Sequence, residues 1–197
     1  MSPAAQRLTR AESQERTRQR IVAAATELFL RNGFRATTLE QISEAAGFTR
    51  GAVYSNFASK TEMGIAVIDG LCDEVDEQLR LALREPNWLD ALSRWAEASV
   101  GNPAWMRLDL EIAASSANDD AYLAATAARY ARLRQRAREL AAECLGTEVS
   151  ETTAVALLGM LMGVAAQRAA DPTIPGSVWT DALREMFGPR SRRDWEA

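Results

Sequence analysis

The sequence contains no histidine among its 197 residues and only two cysteines. Histidine is the commonest general base and the commonest metal ligand, so most hydrolase and metalloenzyme mechanisms lack their central side chain here. Cys72 and Cys144 stand far apart and form no CxxC motif. This spacing predicts reduced thiols rather than a disulfide, a redox switch or a metal site. Serine-hydrolase (GxSxG) and phosphate-loop (GxxxxGK[ST]) motifs are also missing, so we expect no enzyme activity and no cofactor.

Long apolar runs are scarce. The longest nearly uncharged apolar stretch covers residues 152–167, which is shorter than the roughly 20 residues of a membrane-spanning helix. We therefore expect a helix that is buried on more than one side. The N-terminal 20 residues are polar and contain no apolar segment of the kind that a secretion signal needs. These patterns predict a cytoplasmic protein.

Lysine is almost absent as well, since Lys60 is the only lysine beside 22 arginines. The formal net charge of −4 hides an asymmetry: residues 1–62 carry nine basic and six acidic side chains, whereas the remainder carries 14 basic and 21 acidic ones. A basic segment joined to an acidic one favours a polyanionic partner at the N-terminal end only. The basic excess is small for a nucleic-acid-binding protein, so this signal is modest.

Apolar residues recur with the spacing of helices and nowhere alternate with the period of a strand. We therefore predict an all-α fold of about nine helices, separated by glycine, asparagine and proline signals. The first helix is predicted from about residue 14 to a stop at residues 32–33. The others are predicted at residues 39–46, 50–56, 60–84, 87–100, 103–117, 119–145, 150–169 and 177–187.

The second and third predicted helices are short and are joined by a glycine turn. Thr38 and Thr49 precede them in capping positions, and Gly47 supplies the turn. Val53 and Phe57 face the core, which leaves a small polar surface on the third helix. This is the outline of a helix-turn-helix module.

Residues 20–71 resemble the DNA-binding domain of the tetracycline-repressor (TetR-type) family, and the segment TRGAVYSNFASK is most like its multidrug-efflux branch. The matching pieces are Ala24-x3-Leu28-Phe29 with Gly33-Phe34, Thr38-x3-Ile42-x3-Ala46-Gly47, Arg50-Gly51-x2-Tyr54-x2-Phe57 and Ser59-Lys60. The resemblance implies a dimeric transcriptional repressor that binds a palindromic double-stranded DNA operator. It also implies a C-terminal domain that holds a small molecule, and this molecule modulates operator binding by shifting the sixth and fourth helices.

The domain boundaries follow from these patterns. We expect a flexible arm at 1–13, a helix-turn-helix DNA-binding domain at 14–62, a ligand-binding and dimerisation domain at 63–188 and a tail at 189–197. The alternative is a helical DNA-binding, architectural or interaction protein that responds to no ligand. That alternative predicts a filled C-terminal core.

The candidate DNA contacts surround the third predicted helix. They are Thr38, Thr49, Arg50, Gly51, Tyr54, Ser55, Asn56 and Lys60. Lys60 begins a helix, where a cation is unfavourable unless a phosphate lies beside it. Arg50 has the reach and donors to read a guanine edge or to clamp a phosphate, and Gly51 lets the helix approach the duplex closely.

The resemblance implies that the Tyr54 hydroxyl binds a phosphate and that Ser55 and Asn56 add further contacts. Three alternatives stay open at this point. The first is that Lys60 is a solvated surface residue, and the second is that Tyr54 packs in the core. The third is that the two threonines serve only as caps.

The C-terminal half carries the candidate dimer interface, because in the family the last two helices of each subunit form a four-helix contact. The composition of the two predicted helices suits that role. The candidate residues are Leu158, Gly159, Met162, Gly163, Trp179, Met186 and Phe187. The alternative is an ordinary core within one chain.

The candidate ligand site lies in the fifth and sixth predicted helices, which line the cavity in relatives. Its residues are Trp88, Trp95, Trp105, Asp109 and Ile112. Three tryptophans within 18 residues suit an apolar, aromatic or cationic ligand, and Asp109 is a candidate counter-charge. The alternatives are tryptophans that only pack the core and a solvent-exposed Asp109. We expect the arginines from 129 to 138 to form a charged outer helix face.

Overall fold

The computed structural model describes residues 9–145 and 148–187, without the side chains of 144, 145, 186 and 187. Within these ranges the chain is all-helical, with no strand. The helices are α1 (Arg10–Asn32), α2 (Leu39–Ala46), α3 (Arg50–Asn56), α4 (Lys60–Leu83), α5 (Trp88–Ser99), α6 (Pro103–Ser115), α7 (Asp120–Leu145), α8 (Glu151–Ala170) and α9 (Val178–Phe187). The predicted fold class is confirmed, and eight of the nine predicted helix starts lie within one residue of the observed ones.

The start of α1 is the exception. The helix begins at Arg10, four residues before the predicted start, and Thr9 is its cap. The Thr9 side chain accepts from the backbone N–H of Glu12, and the Glu12 carboxylate accepts from the backbone N–H of Thr9. This reciprocal capping box satisfies two helix-end donors at once. The predicted arm is therefore helical from residue 10 onwards, and residues 1–8 lie outside the described part.

The N-terminal core holds α1 to α4 together with α6. Its fully buried side chains include Ile21, Phe29, Ile42, Val53 and Phe57. From α6 it takes Leu108 and Ile112, each with an exposed fraction of zero. Because α6 contributes to this core, the helix belongs to the packing of the helix-turn-helix as well as to the C-terminal half.

A second core lies between α4, α5, α8 and α9. Trp95 and Trp179 meet edge to face there, with ring centroids 6.4 Å apart, and Leu92, Ala96 and Val164 complete it. Edge-to-face contact is a favourable arrangement for two aromatic rings. This core positions α9 against α5 and α8.

Helix α8 leaves one apolar face uncovered. Only Ala154 and Val164 of this helix are buried, so the prediction of burial on more than one side is wrong for the single chain. The uncovered residues, hereafter the free α8 face, are Val155, Ala156, Gly159, Met162, Gly163 and Ala166. Among the described residues, α8 is also the one helix long and apolar enough to cross a membrane by length and composition, and one such helix is weak evidence of membrane insertion.

Candidate functional site

The pair α2–α3 forms a compact unit on the surface of the N-terminal core. The Thr38 hydroxyl accepts from the backbone N–H of Gln41, and the Thr49 hydroxyl accepts from that of Ala52, so each helix starts at a capped end. Gly47 ends α2 in the left-handed conformation at φ 70°, which glycine adopts without steric cost. The predicted helix-turn-helix geometry follows from these three residues.

The outer surface of α3 carries the candidate DNA contacts. Tyr54 is 50% exposed, so it is not the core residue that one alternative required. The Arg50 guanidinium lies 2.6 Å from the Glu40 carboxylate, and both side chains are exposed. A hydrogen bond with Tyr54 and the charge of Glu40 raise the pKa of Arg50. The Arg50 charge is therefore held between α2 and α3 on the outward side.

Three other α3 residues complete this surface. The Ser55 hydroxyl and the Asn56 side-chain amide both donate to the carbonyl of Ala52, over 2.9 and 2.8 Å. Those bonds leave the Asn56 side-chain oxygen without a described hydrogen bond. A Cβ added at Gly51 would meet only the Thr49 hydroxyl, at 3.8 Å. Nothing in the fold itself therefore requires glycine at position 51.

Lys60 lies beside this surface, at the start of α4. Its ammonium donates to the backbone carbonyl of Arg35 over 3.4 Å and stands 4.6 Å from the centre of the Phe34 ring. Partial burial lowers the pKa of Lys60, and the nearby Glu111 carboxylate opposes that shift. Lys60 is thus a positioned cation, in contrast to a freely solvated surface lysine.

A cavity of about 650 Å³ opens between α4 and the helices that follow it. Its wall is mainly apolar and includes the candidate residues Trp88, Trp95, Trp105 and Asp109. Ile112 lies elsewhere: it is fully buried in the N-terminal core, and a Cβ added at Gly64 would stand 3.1 Å from its Cδ1. The expectation that Ile112 contacts a ligand is therefore incorrect for this structure, because the side chain faces α4 and Phe34.

The cavity wall also includes charged side chains. Asp109 stands there near Arg129, which is 4% exposed and donates through Nε to the Asp69 carboxylate over 2.6 Å. The Arg129 Nη2 group is buried and has no hydrogen-bond partner among the described residues. Burial raises the pKa of Asp109, and the Arg129 charge opposes that rise. The partial burial of Asp109 contradicts the solvent-exposed alternative.

The arginines of α7 do not form a free outer face. Besides Arg129, the side chains of Arg132 and Arg136 pair with Asp69 and Asp76 on α4. Arg134 pairs with Glu151 at the start of α8 over 2.7 Å. The sequence pattern predicted a solvated charge run, and the structure instead places ion pairs between α7 and its neighbours, because α4 presents acidic residues towards it.

The predicted dimer residues divide into three groups. Gly159, Met162 and Gly163 lie on the free α8 face, and Met162 also borders the cavity. Leu158 and Trp179 line the cavity of the single chain, and their place at a dimer interface stays a prediction. The predicted contacts of Met186 and Phe187 lie outside the described side chains.

Sequence reasoning missed the cavity residues that come from α7 and α9. Arg129, Tyr130 and Trp179 all line the cavity. Trp179 lies one turn from the apolar Leu183, and this spacing fits a face towards the cavity as well as it fits a dimer contact. Arg129 stands in a run of arginines that is typical of a charged outer face, so the sequence did not predict its burial.

Cys72 also lines the cavity, and burial raises the pKa of its thiol to about 11. A thiol with so high a pKa is almost entirely protonated at neutral pH and is a poor nucleophile. The side chain of Cys144 lies outside the described part, so its predicted reduced state stays a prediction.

Comparison with known proteins gives a family match in the N-terminal part. Residues 21–67 match the model of the bacterial regulatory proteins of the tetR family. The chain is 42% identical over 86 residues to the probable HTH-type transcriptional regulator ArpR of Pseudomonas putida, covering 44% of this chain and 40% of ArpR. It is 42% identical over 79 residues to the HTH-type transcriptional regulator TtgR, also of Pseudomonas putida, covering 40% of this chain and 37% of TtgR. The matched part thus spans about two fifths of the length of these relatives.

Solved structures match over the whole fold. A transcriptional regulator from Rhodococcus sp. Rha1 has a TM-score of 0.65 at 20% identity, over 87% of this chain and 94% of that one. The multidrug binding protein EbrR, complexed with imidazole, has a TM-score of 0.64 at 20% identity, over 90% and 98%. The SmeT–triclosan complex has a TM-score of 0.59 at 24% identity, over 87% and 91%. At these identities the likeness establishes the shared fold.

Proposed function

We propose that this chain is a ligand-responsive repressor of the tetR family of bacterial regulatory proteins, because residues 21–67 match the model of that family and the relatives ArpR and TtgR are transcriptional regulators and not enzymes. It binds a palindromic operator as a cytoplasmic homodimer, and a small molecule in the C-terminal cavity changes its affinity for that operator. The observation that carries the proposal is the joint presence of an exposed, capped α2–α3 unit and a large apolar cavity, with helix α6 contributing both to the core under that unit and to the cavity wall.

The DNA contact is proposed for the surface around α3. Binding strength for a duplex comes largely from neutralising phosphates, and Lys60 with the Tyr54 hydroxyl provides a cation and a hydrogen-bond donor on one side. Arg50 is exposed at the start of α3, and its donors suit the acceptors of a base edge. The ion pair with Glu40 must open or shift for Arg50 to contact a base.

The dimer contact is proposed for the free α8 face. An uncovered apolar face on a soluble protein marks a binding surface, and no described atom lies within 4 Å of a Cβ built at Gly159 or Gly163. Two glycines four residues apart allow a second helix to come close. A two-fold dimer presents two copies of α3 to successive major grooves, which is what a palindrome requires.

The ligand is proposed to be a small apolar or aromatic molecule, with a polar group towards Asp109 and Arg129. A volume of about 650 Å³ lies within the range of pockets that hold small molecules. The tryptophans of the wall offer flat apolar surface, and Asp109, one turn from Trp105 on α6, accepts a hydrogen bond or pairs with a cationic group. The ligand-complexed neighbours EbrR and SmeT support the idea that this fold holds small molecules here. The unfilled cavity argues against the ligand-independent alternative.

Fluorescence anisotropy with duplexes taken from beside the protein's own gene tests the DNA part. We expect one dimer per palindromic duplex, and binding that exceeds that of a shuffled duplex of the same composition at moderate salt. Triclosan, followed by quenching of the cavity tryptophans and by release of the duplex, tests the ligand part. Equal affinity for native and shuffled duplexes would reject a sequence-specific repressor.

A further inference from the structure

Helix α6 contacts the cavity with one face and the N-terminal helices with the opposite face. Trp105, Met106 and Asp109 line the cavity. Arg107, Glu111 and Ser115 reach the end of α1 and the loop between α1 and α2. The second set recurs every fourth residue, so the three side chains form one stripe along the helix.

Glu111 is held tightly against that loop. The backbone N–H of Arg35 donates to its Oε2 over 3.2 Å. Its carboxylate also packs on Gly33, where a Cβ would stand 3.0 Å from both carboxylate oxygens. Gly33 has φ 89°, which other residues rarely adopt. Glycine at position 33 therefore serves two purposes. It adopts this backbone conformation readily, and its missing Cβ leaves space for the Glu111 carboxylate.

Two further contacts fix the same stripe. Arg107 donates to the carbonyl of Leu30 over 3.1 Å and lies 4.0 Å from the Glu111 carboxylate. The Arg35 guanidinium donates to the Ser115 hydroxyl over 3.4 Å. Helix α6 is thus tied to the last turn of α1 on one side of Glu111 and to the loop on the other.

The backbone of Arg35 connects Glu111 to Lys60, which lies beside the candidate DNA surface. Its N–H is bound by Glu111, and its carbonyl accepts from the Lys60 ammonium over 3.4 Å. Phe34, the preceding residue in the loop, provides the ring under that ammonium at 4.6 Å. The loop that Glu111 holds therefore supplies both of the contacts that the structure gives to the Lys60 charge.

We propose that Glu111 is a positioning residue for DNA binding, which fixes the loop at 33–35 so that the loop holds the Lys60 ammonium towards a DNA phosphate. A movement of α6 at the cavity displaces Glu111 and releases Lys60 from its position. This inference rests on the proposed function, because it needs Lys60 to contact DNA.

A double-mutant cycle tests the proposal without any ligand. The affinity for a 30-base-pair duplex of arbitrary sequence at low salt is measured for the full-length protein, for Glu111→Ala, for Lys60→Ala and for the double variant. The phosphate contribution of Lys60 is independent of sequence, so the operator need not be known. The charge-matched control is Glu74→Ala, at an exposed position of α4.

If only the charge of Glu111 matters, removing its carboxylate strengthens DNA binding. A positioning role predicts weaker DNA binding instead. We expect Glu111→Ala to weaken binding about threefold to tenfold, as for residues that share a hydrogen-bond network. In the Lys60→Ala background the same change has no further effect. Glu111→Gln retains an oxygen that accepts from the Arg35 N–H, and it restores most of the affinity.

Three results would overturn the inference, and they distinguish the positioning role from the phosphate contact. If Lys60→Ala weakens binding but the Glu111→Ala effect multiplies with it, or if Glu111→Ala binds as tightly as Glu74→Ala, the positioning role alone is wrong. If Lys60→Ala binds as tightly as the parent, the proposed phosphate contact fails and the inference falls with it. Thermal melting of Glu111→Ala shows whether its loss of affinity comes from unfolding.

Discussion

Gly51 provides a prediction in which stability and DNA binding change in opposite directions. The substitution is Gly51→Ala, at the second residue of α3. A Cβ at this position meets only the Thr49 hydroxyl, at 3.8 Å, which is ordinary van der Waals contact. Alanine is a better helix former than glycine by about 0.5–1 kcal/mol. For a chain of this size that gain raises the melting temperature by about 1–4 °C.

The same methyl group obstructs the duplex if α3 is the reading helix. An extra methyl group in a close-packed contact costs about 1–3 kcal/mol, which is roughly fivefold to 150-fold in Kd. Anisotropy titration with a duplex from beside the protein's own gene measures that loss, and circular dichroism melting measures the gain. Because the variant is more stable than the parent, unfolding is excluded as the cause of weaker binding.

Gly70→Ala is the matched control for this substitution. Gly70 lies within α4, and no described atom stands within 4 Å of its added Cβ. The same gain in stability is expected, with no change in DNA affinity. A Kd for Gly51→Ala within twofold of the parent would refute the close approach of α3 to DNA.

Three further predictions concern other parts of the chain. Lys60→Ala is expected to lower the slope of log K against log salt concentration by about 0.9, the value for one phosphate contact, and an unchanged slope would contradict that contact. Gly163→Leu is expected to convert a dimer to a monomer in analytical ultracentrifugation without lowering helix content, since position 163 is open in the single chain; a dimer that persists would place the interface elsewhere. Burial raises the pKa of Asp109, so its ionised form destabilises the fold, and Asp109→Asn is expected to stabilise the protein at neutral pH in urea unfolding. That gain should disappear as the pH falls below the unfolded-state pKa, where the parent carboxyl is protonated in both states, and a gain independent of pH would contradict this origin.

The positions of the helices were predictable because their ends are set by local chemistry. Thr38, Thr49 and Ser59 cap helices that begin at the next residue, and short side-chain oxygens favour that position in any tertiary context. The missed start of α1 had the same kind of signal, since Thr9 and Glu12 have the spacing of a capping box. The first turn of α1 is polar and has no apolar periodicity, so periodicity did not indicate a helix there.

The directions of side chains in the C-terminal half were harder to predict. Helix α8 is apolar nearly all round, so periodicity does not distinguish the face of Leu158 from that of Gly159. The same holds for Ile112 on α6, which packs with α4 while Asp109, three residues earlier, faces the cavity. Which neighbour covers which face depends on the crossing of helices distant in sequence, and no local pattern encodes it.

The single lysine of the chain has a practical consequence for chemical labelling. Lys60 holds the only side-chain amine, and its partial burial lowers its pKa, which increases the neutral, nucleophilic fraction at a given pH. An acylating reagent thus attaches one group per chain at a side-chain amine, always beside the Arg35 carbonyl and the Phe34 ring. A dye placed there reports on that loop directly, and the acylation itself erases the positive charge without any change to the gene.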